Sequence, residues 1–521
     1  RRPKQTLRLH EILCFLRAYP DDRDIHAQVE RMLAGFADRA DLRSHRAALV
    51  DTGIAGTPIR YPFFWFTARW LARRWPDRLS IDWANFDNRH KLEEILHLLL
   101  PYCETPALDE LKFPPRDWIH RLKGSTETDA AFLIRRFETL RADSFGRERI
   151  YEDLDIPIRL APGPDTPART RAKYPAAPLV FQTRPLVRSR PSLRHEINRS
   201  PPRVRSLAPQ DAQTLINLAR EAMVTRSRDL DIFEHANKHD VRLVDCGQGL
   251  QFVCIGAIPE RRLMLEAVYG FLTLKNGVPI GYVLAASLFR SSEVGYNVFE
   301  TYRGAEAAFT YGRALAMVRH LFGSDTLMVP PFQLGYDNPE ALRSGAWWFY
   351  YKLGFRPRDP QVRRILRREL NQMTSNPRHR SSLATLQELA AKNMYLDLHR
   401  PRKDVMGRFS LGNIGLRVTR YIADRFGADR EAATRTCSRE AVRLLGLSSL
   451  RGFSTGERLA WERWSPLMMS LPGVDRWTSA EKQALVRVVR AKGSRSESDF
   501  VWRFDRHRRL RDAILKLAED E

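Results

Sequence analysis

The sequence predicts an α/β protein whose mixed, mostly antiparallel sheet is flanked by mainly helical N- and C-terminal regions. Two apolar, β-prone runs flank Asn276-Gly277, a strong signal for a two-residue hairpin. Further strand candidates come after the hairpin. A helical pattern then follows and ends at Gly323, with four apolar positions on one face: Tyr311, Leu315, Val318 and Phe322. Outside this central stretch, residues 1–150 and 359–521 carry apolar residues at helical spacing.

Length and composition indicate a globular protein of about three or four domains. The chain has 521 residues, 43% of them hydrophobic and 10% aromatic. No run approaches the ~20 apolar residues needed to span a bilayer. The five cysteines are scattered and none sits in a CxxC pair, which favours a reducing compartment without a disulfide framework or a zinc site. We therefore expect a cytoplasmic protein with no membrane span and no metal.

The net charge of +24 requires an explanation. Most of the excess is arginine, spread along the whole chain. A solvated, arginine-rich surface is one explanation, and an anionic partner such as CoA, a tRNA or another nucleic acid is the other.

Four segments are predicted. Residues 1–150 form a helical N-terminal domain and residues 151–206 a Pro/Arg-rich linker. Residues 207–358 form the α/β domain, and residues 359–521 a helical, basic C-terminal domain. The dense aromatic run in residues 61–75 is expected to be core rather than a stacking platform.

The α/β domain has a predicted order of elements. A helix begins near Pro209 and ends near Val224. Strands are then expected at 241–244, 250–255 and 264–274, followed by the hairpin, a strand at 293–299, the helix described above and a strand at 326–329. This succession is typical of an α/β fold.

Two motifs in this domain carry a family resemblance. The first is Val298-x-x-x-Tyr302-Arg303-Gly304 before a helix, and the second is Ala346-x-x-x-Tyr350-x-x-Leu353-Gly354-Phe355. In this order they resemble the GCN5-related N-acetyltransferase (GNAT) superfamily, over about residues 208–357 only. The resemblance implies a GNAT-like fold with acyl-CoA as co-substrate.

In that family the turn between strand and helix cradles the pyrophosphate of the acyl-CoA. Helix-start N–H groups are unpaired and carry partial positive charge, and glycine lets the backbone approach phosphate closely. The resemblance therefore marks Arg303, Gly304 and Asn338 as CoA-binding candidates. Glu306 stands where the family has its first glycine, and a carboxylate repels a pyrophosphate. As an alternative, a longer loop would let Gly312 and Arg313 supply the helix start.

Acyl transfer to an amine needs a base, a donor for the oxyanion and an acid for the departing thiolate. The resemblance gives Tyr350 the role of the acid. Glu293 and Glu300 flank the central strand and are candidates for the base. Backbone N–H groups of that strand, beyond the point where it separates from its neighbour, are candidates for binding the carbonyl. Tyr296 and Asn297 are candidates for lining the substrate groove. Each also has a simpler role, as a packing residue or a surface charge.

The sequence thus favours an acyltransferase that moves an acyl group from acyl-CoA or a related thioester to a small-molecule or protein amine. Two alternatives stay open: an aminoacyl-tRNA-dependent transferase of GNAT-like fold, and a non-catalytic GNAT-like scaffold or nucleic-acid-binding protein. The +24 charge favours the first alternative, and Glu306 motivates the second.

Overall fold

The computed structural model describes residues 2–175, 178–187, 189–304 and 306–519, and they form a mixed α/β protein, as predicted. Its helices are α1 (Pro3–Ala18), α2 (Arg23–Ala34), α3 (Ala40–Ser44), α4 (Trp65–Arg74), α5 (Arg89–Leu99), α6 (Thr105–Glu110), α7 (Pro115–Leu122), α8 (Asp129–Thr139), α9 (Ser144–Leu154), α10 (Leu193–Ile197), α11 (Pro209–Val224), α12 (Asp231–Glu234), α13 (Ala307–Phe322), α14 (Pro331–Leu334), α15 (Pro339–Ser344), α16 (Ala346–Leu353), α17 (Pro360–Ser375), α18 (Leu383–Ala390), α19 (Leu411–Phe426), α20 (Arg430–Leu444), α21 (Thr455–Ser470), α22 (Ser479–Gly493), α23 (Ser498–Arg506) and α24 (Arg508–Leu517).

The strands form two sheets, one small and one large. The strands are β1 (Ile59–Tyr61), β2 (Leu79–Ile81), β3 (Ile158–Leu160), β4 (Arg203–Ser206), β5 (Ala236–Asp245), β6 (Leu250–Ala257), β7 (Ala267–Lys275), β8 (Val278–Leu288), β9 (Ser291–Val298), β10 (Thr326–Val329), β11 (Arg356–Pro357) and β12 (Met394–Asp397). The small sheet has the order β1-β3-β2 and the large one the order β11-β12-β10-β9-β8-β7-β6-β5-β4.

The chain divides into two compact units. The first unit contains the described residues up to Arg184, together with Gln213–His235 and Lys275–Pro279. The second contains the described residues of Pro185–Ala212 and Ala236–Leu274, and those from Ile280 onward. The predicted C-terminal segment thus lies in the same compact unit as most of the large sheet. The predicted linker contains β3, α10 and β4.

The first unit is mainly helical around the three-stranded sheet. Both neighbours of β3 pair with it in antiparallel fashion, through Tyr61↔Ile158 and Ile81↔Ile158 at one end. The aromatic run in residues 61–75 is mostly core, as expected, with Phe63, Trp65 and Trp75 buried and Phe64 exposed. Trp65 is 2% exposed and its ring lies 5.2 Å from that of Tyr151. Burial of such large apolar rings supplies most of the stability that a helical unit of this kind has.

The large sheet is mostly antiparallel, as predicted. Among the pairings of described residues whose direction is assigned, only that of β9 with β10 is parallel. Asn276 and Gly277 connect β7 to β8 with φ values of 49° and 78°. This confirms the hairpin, because the favoured two-residue turn requires positive φ at both positions.

Helix α13 packs into the core of the second unit. The four residues predicted to share its inner face, Tyr311, Leu315, Val318 and Phe322, are all fully buried. The helix ends at Gly323, whose φ of 70° is the left-handed conformation of a helix C-terminus. Both the helix and its end are therefore confirmed.

A buried polar network joins the C-terminal helices to the large sheet. The Lys492 ammonium donates to a Glu497 carboxylate oxygen at 2.6 Å and to the Glu266 carbonyl at 2.7 Å. The Tyr269 hydroxyl donates to Asp240 at 2.6 Å and accepts from the Ser498 backbone N–H at 2.7 Å. Because buried charges are costly unless paired, these bonds fix the position of α22 and α23 against the strands. No helix in the described ranges is long and apolar enough to cross a bilayer.

Candidate active site

Strands β9 and β10 separate in the middle of the large sheet. They pair in parallel at three positions, Thr326↔Ser291, Leu327↔Ser292 and Met328↔Glu293. Strand β9 continues to Val298 against β8, whereas β10 ends at Val329 and is followed by Pro330-Pro331. Proline has no N–H to donate, so the ladder cannot continue. A wedge therefore opens beside β9 after Glu293.

A glutamine side chain occupies this wedge. The Gln333 Nε2 group, on α14, donates to the Tyr296 carbonyl at 2.7 Å and to the Tyr350 hydroxyl at 3.0 Å. The first bond satisfies a carbonyl of β9 on the side that β10 has left. The second leaves the proton of the Tyr350 hydroxyl available for donation, because the hydroxyl acts as the acceptor in that bond.

An aromatic cluster surrounds the hydroxyl of Tyr350. The Tyr296 and Tyr311 rings stack at 5.2 Å, and the Tyr311 and Tyr350 rings meet edge to face at 5.5 Å. Tyr350 is 2% exposed, and burial raises the pKa of its phenol well above the ordinary value. The phenol therefore stays protonated over the physiological pH range and can act only as a proton donor or neutral hydrogen-bonding group.

The two predicted bases lie in different environments. Glu293 is half-buried at the last position of β9 that pairs with β10, and burial, followed by the charge of Glu266, raises the pKa of its carboxyl. Glu300 is exposed in a short 3-10 turn, Glu300–Tyr302, beyond the end of β9. A raised pKa makes Glu293, when it is ionised, a stronger base than an ordinary carboxylate.

Strand alternation separates the side chains of β9 into two sets. Glu293 and Asn297 lie on one face of the strand, and Tyr296 lies on the other with the aromatic cluster. The Asn297 Oδ1 atom is buried and has no hydrogen-bond partner among the described residues. Such an unsatisfied acceptor is uncommon in a folded protein and suits a position that binds a donor group.

The predicted phosphate turn lies between β9 and α13. Arg303 donates its Nε to the Val298 carbonyl at 3.2 Å and forms an ion pair with Glu340 of α15. Gly304 has a φ of 86°, and no described atom beyond its chain neighbours lies within 4 Å of the position that a Cβ would take there. Glu306 is the N-cap residue of α13, and its carboxylate accepts from the Val187 N–H at 3.4 Å. Ala305 lies outside the described residues.

The longer-loop alternative is not what the structure has. Helix α13 begins at Ala307, so Gly312 and Arg313 lie in its second turn. Arg313 is 2% exposed, and its Nη1 donates to the Arg199 carbonyl at 3.0 Å. A Cβ on Gly312 would lie 3.2 Å from that of Glu196. Both residues serve the packing of the 193–199 segment on α13, which is a role that their spacing in the sequence did not reveal.

Asn338 has a local structural role. It is the N-cap of α15, where its Oδ1 accepts from the Ala341 N–H at 3.1 Å and its Nδ2 donates to the Phe332 carbonyl at 3.1 Å. Sequence analysis did not select Gln333, the residue that bridges the wedge. The only sequence signal nearby is the Pro330-Pro331 pair, which ends β10 just before it.

The structure thus brings Tyr296 and Tyr350 together through Gln333, places Glu293 at the narrow end of the wedge, and leaves Glu300 on an exposed turn. No group of three or more His, Cys, Asp or Glu residues in the described ranges could hold a metal ion. Comparison of the chain with family models, curated proteins and solved structures found no match.

Proposed function

We propose that the protein is an acyltransferase that moves an acyl group from acyl-CoA or a related thioester to an amine. The observation that carries this proposal is the divergence of β9 and β10 after three parallel pairs, with Tyr350 tethered in the wedge. The GNAT superfamily, which the sequence resembles, places its thioester beside such a splayed strand. Beyond β10 the sheet continues with β12 and then β11, so strands of the same sheet lie on both sides of the wedge.

The proposed reaction uses three groups of this chain. The amine nitrogen attacks the thioester carbonyl, and Glu293, directly or through water, takes the proton that the nitrogen loses. Backbone N–H groups of β9 beyond Glu293 stabilise the oxyanion. The tetrahedral intermediate collapses with cleavage of the carbon–sulfur bond, and Tyr350 protonates the departing thiolate. The products are an amide and a free thiol.

The Arg303-Gly304 turn is the proposed site for the pyrophosphate of the donor. Arg303 is exposed and lies in the turn that precedes α13, where helix N–H groups favour an anion. To bind phosphate, Arg303 exchanges its ion pair with Glu340 for a charge-assisted bond to the ligand. Glu306 lies beside this turn and opposes the anion, so we propose weak donor binding, in the high micromolar range or above.

The test is the release of thiol from a panel of acyl-CoA donors in the presence of amine acceptors, measured with purified protein. Tyr350→Phe should lower kcat at least tenfold, because loss of a general acid typically costs a factor of ~100 or more. Tyr351→Phe is the matched control, since Tyr351 stacks on Trp347 at 5.5 Å and lies outside the wedge. Equal rates for the two variants would reject Tyr350 as the acid.

A second pair of variants tests the donor site. Arg303→Ala should raise the KM for the acyl-CoA while kcat changes little, because binding of the remote phosphate is lost. Arg343→Ala, an exposed arginine of α15, should leave both constants unchanged. If Arg303→Ala has no effect on KM, the pyrophosphate does not bind at this turn.

Transfer from an aminoacyl-tRNA is the second candidate function. One observation favours it: Arg363, Arg364, Arg367 and Arg368 of α17 are all exposed. Residues four apart on a helix lie on the same face, so these arginines form a continuous basic strip. Such a strip suits a phosphate backbone. Under this proposal the thioester is replaced by the ester of the aminoacyl-tRNA, and the acceptor is again an amine. A scaffold without catalytic activity remains the proposal if neither donor supports turnover.

A further inference from the structure

A cavity of about 680 Å³ lies at one edge of the large sheet. Strand β11 is the edge strand there, next to β12. The other walls come from the segment that leads into α10, the end of α16 and the first turn of α17. Pockets of ~300–1,000 Å³ hold typical small-molecule ligands, so this cavity is large enough for one.

Five cationic side chains from four separate segments line the cavity: Arg194, Lys352, Arg356, Arg358 and Arg363. The one carboxylate in the lining belongs to Asp397, and the Arg358 Nη2 group donates to it at 2.6 Å. The four other cations have no carboxylate within ion-pair distance in the described part of the chain. The cavity thus concentrates unneutralised positive charge.

Several arginines elsewhere in the same unit are neutralised by carboxylates. Arg402, Arg425 and Arg490 each have a carboxylate beside them, from Asp325, Glu440 and Glu457 respectively. Unpaired like charges that face one cavity repel each other and lower the stability of the empty protein. An anionic ligand would remove that cost.

Two of the guanidinium groups are fixed in position before any ligand binds. The Arg356 Nη1 group donates to the Tyr351 and Phe355 carbonyls at 2.7 and 2.8 Å, and its guanidinium lies 4.2 Å from the centre of the Tyr351 ring. The Arg363 Nε group donates to the Pro357 carbonyl at 3.1 Å. Each group keeps further N–H donors for a ligand. A guanidinium held in this way binds phosphate with less loss of side-chain entropy.

The lining also has an apolar part. It includes Leu193, Leu353, Pro357, Leu396 and Pro401. Four unpaired cations match a ligand with two to four negative charges, and arginine binds phosphate oxygens in bidentate fashion. The apolar wall suits an uncharged, flat group attached to those phosphates.

We propose that this cavity binds a nucleoside di- or triphosphate. The phosphates lie against Arg356, Arg363 and their cationic neighbours, and the nucleoside lies against the apolar wall. This site goes beyond the proposed acyl transfer and does not depend on it, because none of its lining residues belongs to the wedge or to the Arg303-Gly304 turn.

The test is calorimetric titration of the full, nucleic-acid-free protein with ATP, inorganic triphosphate and adenosine. ATP should bind more tightly than inorganic triphosphate, and adenosine should bind weakest. Absence of ATP binding at millimolar concentration would overturn the proposal. Equal binding of ATP and inorganic triphosphate would overturn the nucleoside part of it.

Variants locate the site. Arg356→Gln/Arg363→Gln should weaken ATP binding at least tenfold. The matched control is Arg367→Gln/Arg368→Gln, which removes the same charge from exposed positions of α17 outside the cavity and should change the Kd less than twofold. If both double variants weaken binding equally, the ligand senses only the overall charge and the cavity is not its site.

Two further variants keep the result interpretable. Arg194→Gln/Lys352→Gln alters only exposed cavity residues and should also weaken ATP binding several-fold, which tests the site if the first variant does not fold. Arg303→Ala should leave ATP binding unchanged. Loss of ATP binding in Arg303→Ala would place the nucleotide at the turn before α13 and overturn the cavity assignment, whatever the outcome for acyl transfer.

Discussion

At the scale of single residues, the second unit contains partly or fully buried ionisable groups whose pKa values are shifted by that burial. Asp505 of α23 is half-buried, and burial raises the pKa of its carboxyl to about 7. The Arg290 backbone N–H donates to its Oδ1 at 3.1 Å, and nearby arginines oppose the effect of burial without cancelling it. The carboxyl therefore titrates near neutral pH in the folded protein.

This predicts a pH-dependent stability. The ordinary pKa of Asp is about 3.8, so between pH 4 and pH 7 the folded state holds a proton that the unfolded state has lost. The free energy of unfolding should consequently fall as the pH rises through this range, by about 4 kcal/mol at most, and level off above pH 7. Urea unfolding at a series of pH values measures this slope.

Asp505→Asn isolates the contribution of this group. The asparagine keeps an oxygen that can accept from the Arg290 N–H, but it cannot ionise. The variant should lose the fall in stability between pH 4 and pH 7, whereas Asp512→Asn, at an exposed position of α24, should keep it. A wild-type slope in Asp505→Asn would show that the carboxyl titrates normally.

The buried pair of Lys492 and Glu497 leads to a second prediction at this scale. Burial lowers the pKa of the Lys492 ammonium and raises that of the Glu497 carboxyl, while the attraction between the two opposes both shifts. Lys492→Met removes the nearest cation from the buried carboxylate, leaving only Arg262 at 3.8 Å among the described residues, and should cost about 3–5 kcal/mol. Lys492→Met/Glu497→Leu should recover part of this loss in urea unfolding at pH 7. A double variant less stable than Lys492→Met would contradict the argument.

At the scale of elements, close packing of helices depends on glycine. Gly456 of α21 and Gly493 of α22 lie so close that a Cβ on either would overlap the backbone of the other helix. Neither position is strained in φ, so the requirement comes from the approach of the two helices alone.

Gly493→Ala should therefore destabilise the protein by about 2–3 kcal/mol, because the backbone it meets cannot move aside cheaply. Gly415→Ala is the control. Gly415 lies inside α19 with no neighbouring atom within 4 Å of an added Cβ, so alanine there should stabilise the helix by up to about 1 kcal/mol. Thermal unfolding of both variants measures the difference, and a stabilising Gly493→Ala would show that the helices are free to separate.

The end of the chain shows how a local signal decides an element. The apolar spacing from Phe500 to Leu517 predicts one amphipathic helix, but the structure has two, α23 and α24. The break is at His507, whose Nδ1 accepts from the Leu510 N–H at 3.2 Å and so caps α24. Its Nε2 lies 2.9 Å from the Glu481 carbonyl. Apolar periodicity does not show this break, because it does not register a contact with a residue 26 positions away.

At the scale of the whole molecule, the net charge of +24 predicts salt-dependent binding to RNA. If the strip on α17 is the contact, the affinity for tRNA should fall steeply between 50 and 200 mM salt. Arg364→Gln/Arg367→Gln/Arg368→Gln should reduce the slope of log K against log salt by about 2. Filter binding over a series of salt concentrations measures this slope.

The control for RNA binding removes equal charge elsewhere. Arg430→Gln/Arg435→Gln/Arg439→Gln changes three exposed arginines of α20 and should leave the slope nearly unchanged. An equal effect of the two triple variants would mean that RNA contacts the surface without preference. No binding at any salt concentration would remove the tRNA-dependent candidate function.

The sequence by itself determined the elements that local chemistry specifies. The Asn276-Gly277 turn, the apolar face of α13 and its end at Gly323 follow from turn residues and periodicity, and the structure confirms them. Six strands of the large sheet, β5 to β10, were predicted for the same reason, although β5 begins five residues before its predicted start, whereas β4, β11 and β12 were not predicted. These signals lie within a few residues of the features that they predict.

Only the tertiary structure decided which distant residues meet. Gln333 bridges Tyr296 and Tyr350, the 193–199 segment covers Gly312 and Arg313, and four segments bring unpaired cations to one cavity. None of these contacts has a periodic or local signal, because each joins residues of different helices, strands or loops. Their positions follow from how the large sheet orders its strands and how the helices pack around it, which is where the energy of burial is gained.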